Sequence, residues 1–319
     1  MRALQVSTLS PDLSGTGLVE LPDAVARPGQ VLVRVRAAAL NFPDLLMTRG
    51  EYQLKPPLPF VLGMEVAGDV VAGEGFAPGT PVVAGTRLGG FADLVAVDVA
   101  AVRPKPAHLS YGEAASVGAA YLTAYVALVR LGAVETGEWV LVHGATGGVG
   151  LAAVDLAHAL GAKVIATSRS PEKLAVVAGE YGLDAALPAP GFREAVKELT
   201  GGGADVIYDP VGGDVFDEST RCIAFGGRLL VVGFTSGRIA SIATNMPLIK
   251  GFSVVGVRAG EYGRKFPDRG RENQEAIWQL AEEKRIRPRV HAEVPLADWR
   301  AAFEAMQASA MVGKIVLVP

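Results

Sequence analysis

One cysteine, Cys222, serves the whole chain of 319 residues. A single thiol excludes an intramolecular disulfide and a thiolate metal cluster, and it points to a reducing compartment. Its place in the apolar run Ser219 to Phe225 predicts a buried structural thiol. No sign of charge dominates, with 30 Lys and Arg against 33 Asp and Glu. With no block of like charge, neither nucleic acid nor a membrane surface is an expected partner, and a small neutral or anionic ligand is. Long apolar runs are missing too. Val31 to Leu40 and Ser253 to Val257 are too short or too interrupted by charge for the roughly 20 apolar residues of a bilayer span. The start, Met1-Arg-Ala-Leu-Gln-Val, reads as a strand and has no charged region followed by an apolar run, so the cytoplasm is the expected location. The histidines, His108, His143, His158 and His291, have no ligand-like spacing.

What is present divides the chain by period. Up to about residue 110, short β segments alternate with Gly and Pro, and Val31, Val33 and Val35 alternate with Leu32, Arg34 and Arg36 as in a half-buried strand. Eight glycines between Gly63 and Gly90 suit a partly open β barrel with tight corners. Ser110-Tyr-Gly-Glu113 then reads as a capping box ahead of an Ala-rich helix running to about Leu131.

From Trp139 the pattern becomes strand, helix, strand, helix, with further strands at Val206 to Tyr208, Arg228 to Gly233 and Ser253 to Val257. Such alternation predicts a doubly wound parallel sheet of the Rossmann type. The last pieces, helices near Glu272 to Glu283 and Leu296 to Gln307 and strand Lys314 to Val318, are too few for a domain of their own. The expected division is therefore 1–115 with 258–319 as a substrate domain, and 116–257 as a nucleotide domain inserted in it.

Gly144, Gly147 and Gly150 stand three apart where a strand turns into a helix. Glycine permits the tight turn, lets backbone amides such as those of Gly147, Gly148 and Val149 approach a pyrophosphate, and lets the helix pack closely on the strand. Ala145 stands where the commoner spacing has a second glycine. The second strand ends in Ser168-Arg169, with no acid to accept the two ribose hydroxyls of NADH. Arg169 and Lys173 could flank a 2′-phosphate with Ser168 donating a hydrogen bond, which argues for NADPH. Ser170 and Pro171 also make a good N-cap pair, and Arg169 could be a solvated cation.

The stretches Ala39-Leu-Asn41-Phe-Pro-Asp44 through Tyr52, Gly63-Met64-Glu65-Val-Ala-Gly68, Gly90-Phe-Ala-Asp93, Thr123-Ala-Tyr125, Asp209-Pro-Val-Gly212-Gly213 and Gly313-Lys314 resemble the zinc-free quinone oxidoreductase branch of the medium-chain dehydrogenase/reductase superfamily. The resemblance implies an α/β chain with a GroES-like partly open β barrel and a Rossmann domain. It implies that zinc-dependent members carry cysteine at Asn41 and histidine at Met64, so a catalytic zinc here would lack its usual donors. By the same resemblance, Asn41 and Tyr52 line the cleft where substrate meets the nicotinamide, and Thr123 contacts the cofactor. Gly233, Phe234, Val255, Val257 and Lys314 match stretches at the nicotinamide end or the domain cleft. Leu46 and Ala189 stand where some members have tyrosine. Asp44 and Arg49 could form a supporting ion pair.

These readings converge on hydride transfer from NADPH to a conjugated carbonyl, a quinone or an enone, with Asn41 offering an amide donor and acceptor and Tyr52 a ring and a hydroxyl. Two alternatives stay open. One is reduction of an enoyl thioester, for which Arg258, Arg264, Lys265, Arg269 and Arg271 would supply a basic groove. The other is an NADPH-binding sensor or structural protein with little turnover. The apolar strand Phe252 to Val257 would leave an exposed sheet edge, and pairing with its copy predicts a homodimer.

Overall fold

A computed structural model describes residues 1 to 319, and these separate into two compact units, Met1–Ala119 with Pro288–Pro319 and Ala120–Arg287. The strands of the first unit are β1 (Arg2–Val6), β2 (Thr16–Glu20), β3 (Gln30–Ala39), β4 (Phe60–Val61), β5 (Glu65–Gly73), β6 (Pro81–Gly85), β7 (Leu94–Asp98) and β8 (Val102–Pro104). In the second unit they are β9 (Trp139–Val142), β10 (Lys163–Ser168), β11 (Ala185–Pro188), β12 (Ala204–Asp209), β13 (Ile223–Val231) and β14 (Ser253–Gly256). The chain then returns to the first unit for β15 (Val290–Pro295) and β16 (Lys314–Val318).

The first unit holds a seven-stranded sheet in the order β15-β16-β3-β5-β6-β8, with β7 also paired to β3, and a three-stranded sheet β2-β1-β4. Val31, Val33 and Val35 face the core while Arg34 and Arg36 face solvent, as their alternation requires. Trp299 and Phe303, from the helix Trp299–Gln307, close that core edge-to-face, with Phe303 also against Phe91.

The second unit is a single sheet in the order β11-β10-β9-β12-β13-β14, every pair of neighbours parallel. Helices connect its strands, including Gly148–Ala159 and Pro171–Tyr181. The chain steps from β11 at one edge across to β12 on the far side of β9. That reversal makes the carboxyl ends of β9, β10 and β12 the crevice where such sheets bind ligands.

Several elements differ from expectation. The capping box forms, Ser110 Oγ accepting from Glu113 N at 3.1 Å and Glu113 Oε2 from Ser110 N at 2.8 Å. The helix it opens is broken, however, into Tyr111–Ala115 and Gly118–Tyr125 followed by a π-helical turn over Val126–Leu131. Ser116 Oγ donates back to Gly112 O at 2.7 Å, a side-chain bond that competes with continuing the helix. Residues 258–287 pack on the second unit rather than returning to the barrel. Arg130 reaches Glu272 and Asn273, Arg285 donates to Ala159 O, and Arg287 N donates to the buried Asp155 at 2.5 Å. Strands β11 and β15 had no sequence signal strong enough to place them.

Candidate active site

A buried polar centre lies in the first unit, and a glycine turn marks the second. The centre is built by three strands. Antiparallel pairing sets Val316 opposite Ala39, and Leu40 N donates to Ile315 O, so Lys314 at the head of β16 arrives beside Asn41. On the other side of β3, the pairing of Ala38 with Val66 brings Glu65 to the same place. Lys314 Nζ donates to Asn41 Oδ1 at 2.6 Å and lies 3.2 Å from Glu65 Oε1. Asn41 Nδ2 donates to Glu65 Oε1 at 2.9 Å and to Ala39 O at 3.1 Å. Glu65 Oε2 accepts from Ala119 N at 2.7 Å, placing the carboxylate at the amino end of the helix Gly118–Tyr125. All three side chains are buried.

This geometry narrows what Asn41 offers. Both its N–H groups are spent inside the protein, so only a lone pair on Oδ1 is left for a ligand, while Lys314 keeps one N–H of three. Glu65 was not singled out by sequence. The signal was there, because an acid between Met64 and Val66 on an apolar strand needs a buried partner.

Beside the centre, Asp44 Oδ2 accepts from Asn41 N at 2.9 Å and Oδ1 from Gly63 N at 3.2 Å. Burial outweighs these bonds and pushes the Asp44 carboxyl up to about 7. The ion pair of Asp44 with Arg49 does not form. Asp44 binds backbone instead, and Arg49 Nε is buried without a partner. Tyr52 is half-buried against the barrel core.

In the second unit the glycine turn has the expected stereochemistry. Gly144 takes a positive φ of 57°, a conformation that L side chains rarely adopt. At Gly150 a Cβ would sit 2.2 Å from Gly144 O, so the helix can approach the strand this closely only without one. Gly147 caps the helix, and Gly148 and Val149 supply the first helical amides, which have no partner within the helix. Ala145 is tolerated because it points inward and its N–H binds Thr167 O at 3.1 Å. The cradle suits a pyrophosphate held by amides and the helix dipole.

At the end of β10, Ser168 is buried and its Oγ accepts from Ser170 N at 3.2 Å. Arg169 is exposed and forms no ion pair, and Lys173 is half-buried on the next helix. Gly233 and Phe234 follow the end of β13, with Val255 and Val257 at the end of β14. Those ends lie in register with Asp209, through Val231 and Gly256. Phe234 also comes against Gly212. Thr123 stands half-buried on the helix Gly118–Tyr125. Lys314, grouped by resemblance with the nicotinamide end or the domain cleft, is held in the first unit by Asn41 and Glu65.

Two further buried groups surround the turn. Asp209 Oδ1 accepts from Val211 N at 2.8 Å and Gly212 N at 2.9 Å, and burial raises its carboxyl above the usual range. His143, at the end of β9, sits between Thr167 Oγ1 and Ser219 Oγ, each at 2.8 Å, and burial lowers it to about 3, so it stays neutral. Cys222 is a buried free thiol pushed up to about 12 by burial, which makes it inert. No three His, Cys, Asp or Glu side chains converge as a metal site.

Two family models match separate stretches of the chain. Residues 27–107 match the alcohol dehydrogenase GroES-like domain, and residues 148–276 match the zinc-binding dehydrogenase family. The chain is 37% identical over 300 residues to a quinone oxidoreductase-like protein 2 homolog of Nematostella vectensis, covering 90% of this chain and 81% of that one. It is 38% identical over 298 residues to the polyketide synthase GfsB of Streptomyces halstedii, covering 91% of this chain but 5% of that much longer protein. Among solved structures, the quinone oxidoreductase of Thermus thermophilus, also determined with NADPH, is 33% identical with a TM-score of 0.86, and all of both chains is covered.

Proposed function

The chain belongs to the zinc-free quinone oxidoreductase branch of the medium-chain dehydrogenase/reductase superfamily, and from that premise we propose that it passes hydride from NADPH to a quinone or other conjugated carbonyl without a metal ion. The observation that carries this reading is the hydrogen-bonded centre of Asn41, Glu65 and Lys314, which occupies the region where metal-dependent relatives of the resemblance keep their ligands.

The second unit holds the cofactor. The amides of Gly147, Gly148 and Val149 take the pyrophosphate, Ser168, Arg169 and Lys173 take the 2′-phosphate, and Thr123, Gly233, Phe234, Val255 and Val257 serve the nicotinamide end. NADPH when bound supplies the hydride. The first unit serves the acceptor. Lys314 donates its remaining N–H to the acceptor's carbonyl oxygen, stabilising negative charge there, while Glu65 and Asn41 hold the ammonium in place. Tyr52 supplies the aromatic face on which a flat acceptor rests, and its hydroxyl is a candidate proton donor to the reduced product.

Enoyl-thioester reduction is the second reading, favoured by the match to a polyketide synthase segment. The cations that would form a basic groove for a nucleotide-bearing thioester are partly paired. Arg264 pairs with Glu261, Arg271 with Asp268, and Arg269 lies over Phe266. A cytoplasmic location belongs to the same proposal, in keeping with the buried free thiol of Cys222. No helix is long and apolar enough to cross a membrane.

A homodimer completes the proposal. Strand β14 is the edge of the six-stranded sheet. Next to it stand Phe225, Leu248 and Ile249, at 89%, 81% and 74% exposure, an apolar group that a second copy would cover.

The test is oxidation of NADPH and NADH by the purified protein, with EDTA present, against quinones, simple enones and enoyl thioesters. Quinone or enone turnover with preference for NADPH supports the proposal. Turnover of thioesters alone selects the second reading. Tight cofactor binding without turnover by any acceptor would place the protein among non-catalytic sensors.

A further inference from the structure

The glycine turn contributes a hydroxyl that the pyrophosphate does not need. Thr146 stands between Gly144 and Gly147, and its Oγ1 lies 3.5 Å from Ser168 Oγ at the end of β10. We infer that Thr146 is a determinant of cofactor choice, donating from the turn to the same 2′-phosphate that Ser168 meets from the strand; the inference rests on the NADPH reading above.

Donors and acceptors distinguish the two cofactors at this strand end. A 2′-phosphate presents acceptor oxygens only, whereas the 2′-hydroxyl of NADH can donate and favours an acid at the strand end. Ser168 Oγ already accepts from Ser170 N, which leaves its own hydrogen to donate. At 3.5 Å the contact between the two hydroxyls is at the limit of a hydrogen bond, so neither hydrogen is firmly committed within the protein.

Both oxygens are held in place before a ligand arrives. Ala145 N binds Thr167 O at 3.1 Å and Gly147 N binds Gly144 O at 3.0 Å, fixing the residues on either side of Thr146. Ser168 is locked by burial. Arg169, exposed and unpaired, supplies the compensating charge at the same strand end. The nearby acid Glu172 is bound by Ser170 Oγ at 2.8 Å, and no acid bonds either hydroxyl of the pair.

Thr146→Val removes the hydroxyl at nearly constant shape, and Thr146→Ser restores it. Dissociation constants for NADPH and NADH are measured by titration calorimetry on both variants, on the unmodified protein and on Arg169→Ala. Thr146→Val is expected to weaken NADPH about five- to tenfold and NADH less than about twofold, with Thr146→Ser close to the unmodified protein. Equal weakening of both cofactors, or no weakening of NADPH while Arg169→Ala does relax the preference, overturns the role of Thr146 and leaves the NADPH reading standing. If the unmodified protein binds NADH as tightly as NADPH, the NADPH reading itself falls and takes this inference with it.

Discussion

Lys314 and Asn41 lie 273 positions apart in sequence, and the ammonium of one donates to the amide oxygen of the other at 2.6 Å. Glu65 neutralises that ammonium, so three groups that would each be costly to bury alone are stable together. Lys314→Met leaves the Glu65 carboxylate without a counter-charge and should cost about 3–5 kcal/mol of stability in chemical denaturation. The double variant Glu65→Gln with Lys314→Met should lose clearly less than the sum of the two single losses. Additive losses would show that the pair is not coupled.

Asp44 makes stability depend on pH in an unusual direction for a carboxylate. Its folded value is raised to about 7 from 3.8, so between those limits the folded state binds the proton more tightly than the unfolded chain. The contribution is then fully present below about 4 and is lost as pH rises towards 7. The stability of the protein relative to Asp44→Asn should accordingly fall by a few kcal/mol across that window, measured by denaturation at fixed salt. A flat difference would mean that Asp44 is ionised throughout.

Two glycines in helices should respond oppositely to alanine. At Gly150 the new Cβ meets Gly144 O at 2.2 Å, whereas at Gly179 nothing lies within 4 Å. Gly150→Ala should cost about 1–3 kcal/mol or more and abolish cofactor binding, while Gly179→Ala should stabilise by about 0.4–1 kcal/mol. Thermal unfolding with and without NADPH separates the two.

An acid at the end of β10 should reverse cofactor preference. Ser168→Asp places a carboxylate where the 2′-phosphate would lie and gives the ribose of NADH an acceptor. The expected outcome is NADPH binding weakened at least about tenfold with NADH improved. Unchanged ratios in a binding titration would move the phosphate site elsewhere.

Leu248→Asp combined with Ile249→Asp should yield a monomer if β14 and its apolar neighbours pair across a two-fold axis. Light scattering decides it. A monomer before mutation, or a dimer that survives it, would rule that face out.

Local pattern and chain order determined a large part of this protein. The alternation around Val33, the capping box at Ser110 and the turn from Gly144 to Gly150 are set by neighbours a few positions away, where period and backbone freedom act directly. The family was legible for the same reason, since its motifs are contiguous. Only tertiary structure decided that Asn41 is largely spent on Glu65 and Lys314 and that Asp44 binds backbone rather than Arg49. The same holds for residues 258–287, which stay with the nucleotide-binding unit through Asp155 and Arg130. Those outcomes depend on strand register and on burial, which fix the partners available to a charge and the energy of leaving it unpaired. Neither quantity is a property of a residue and its neighbours in the chain.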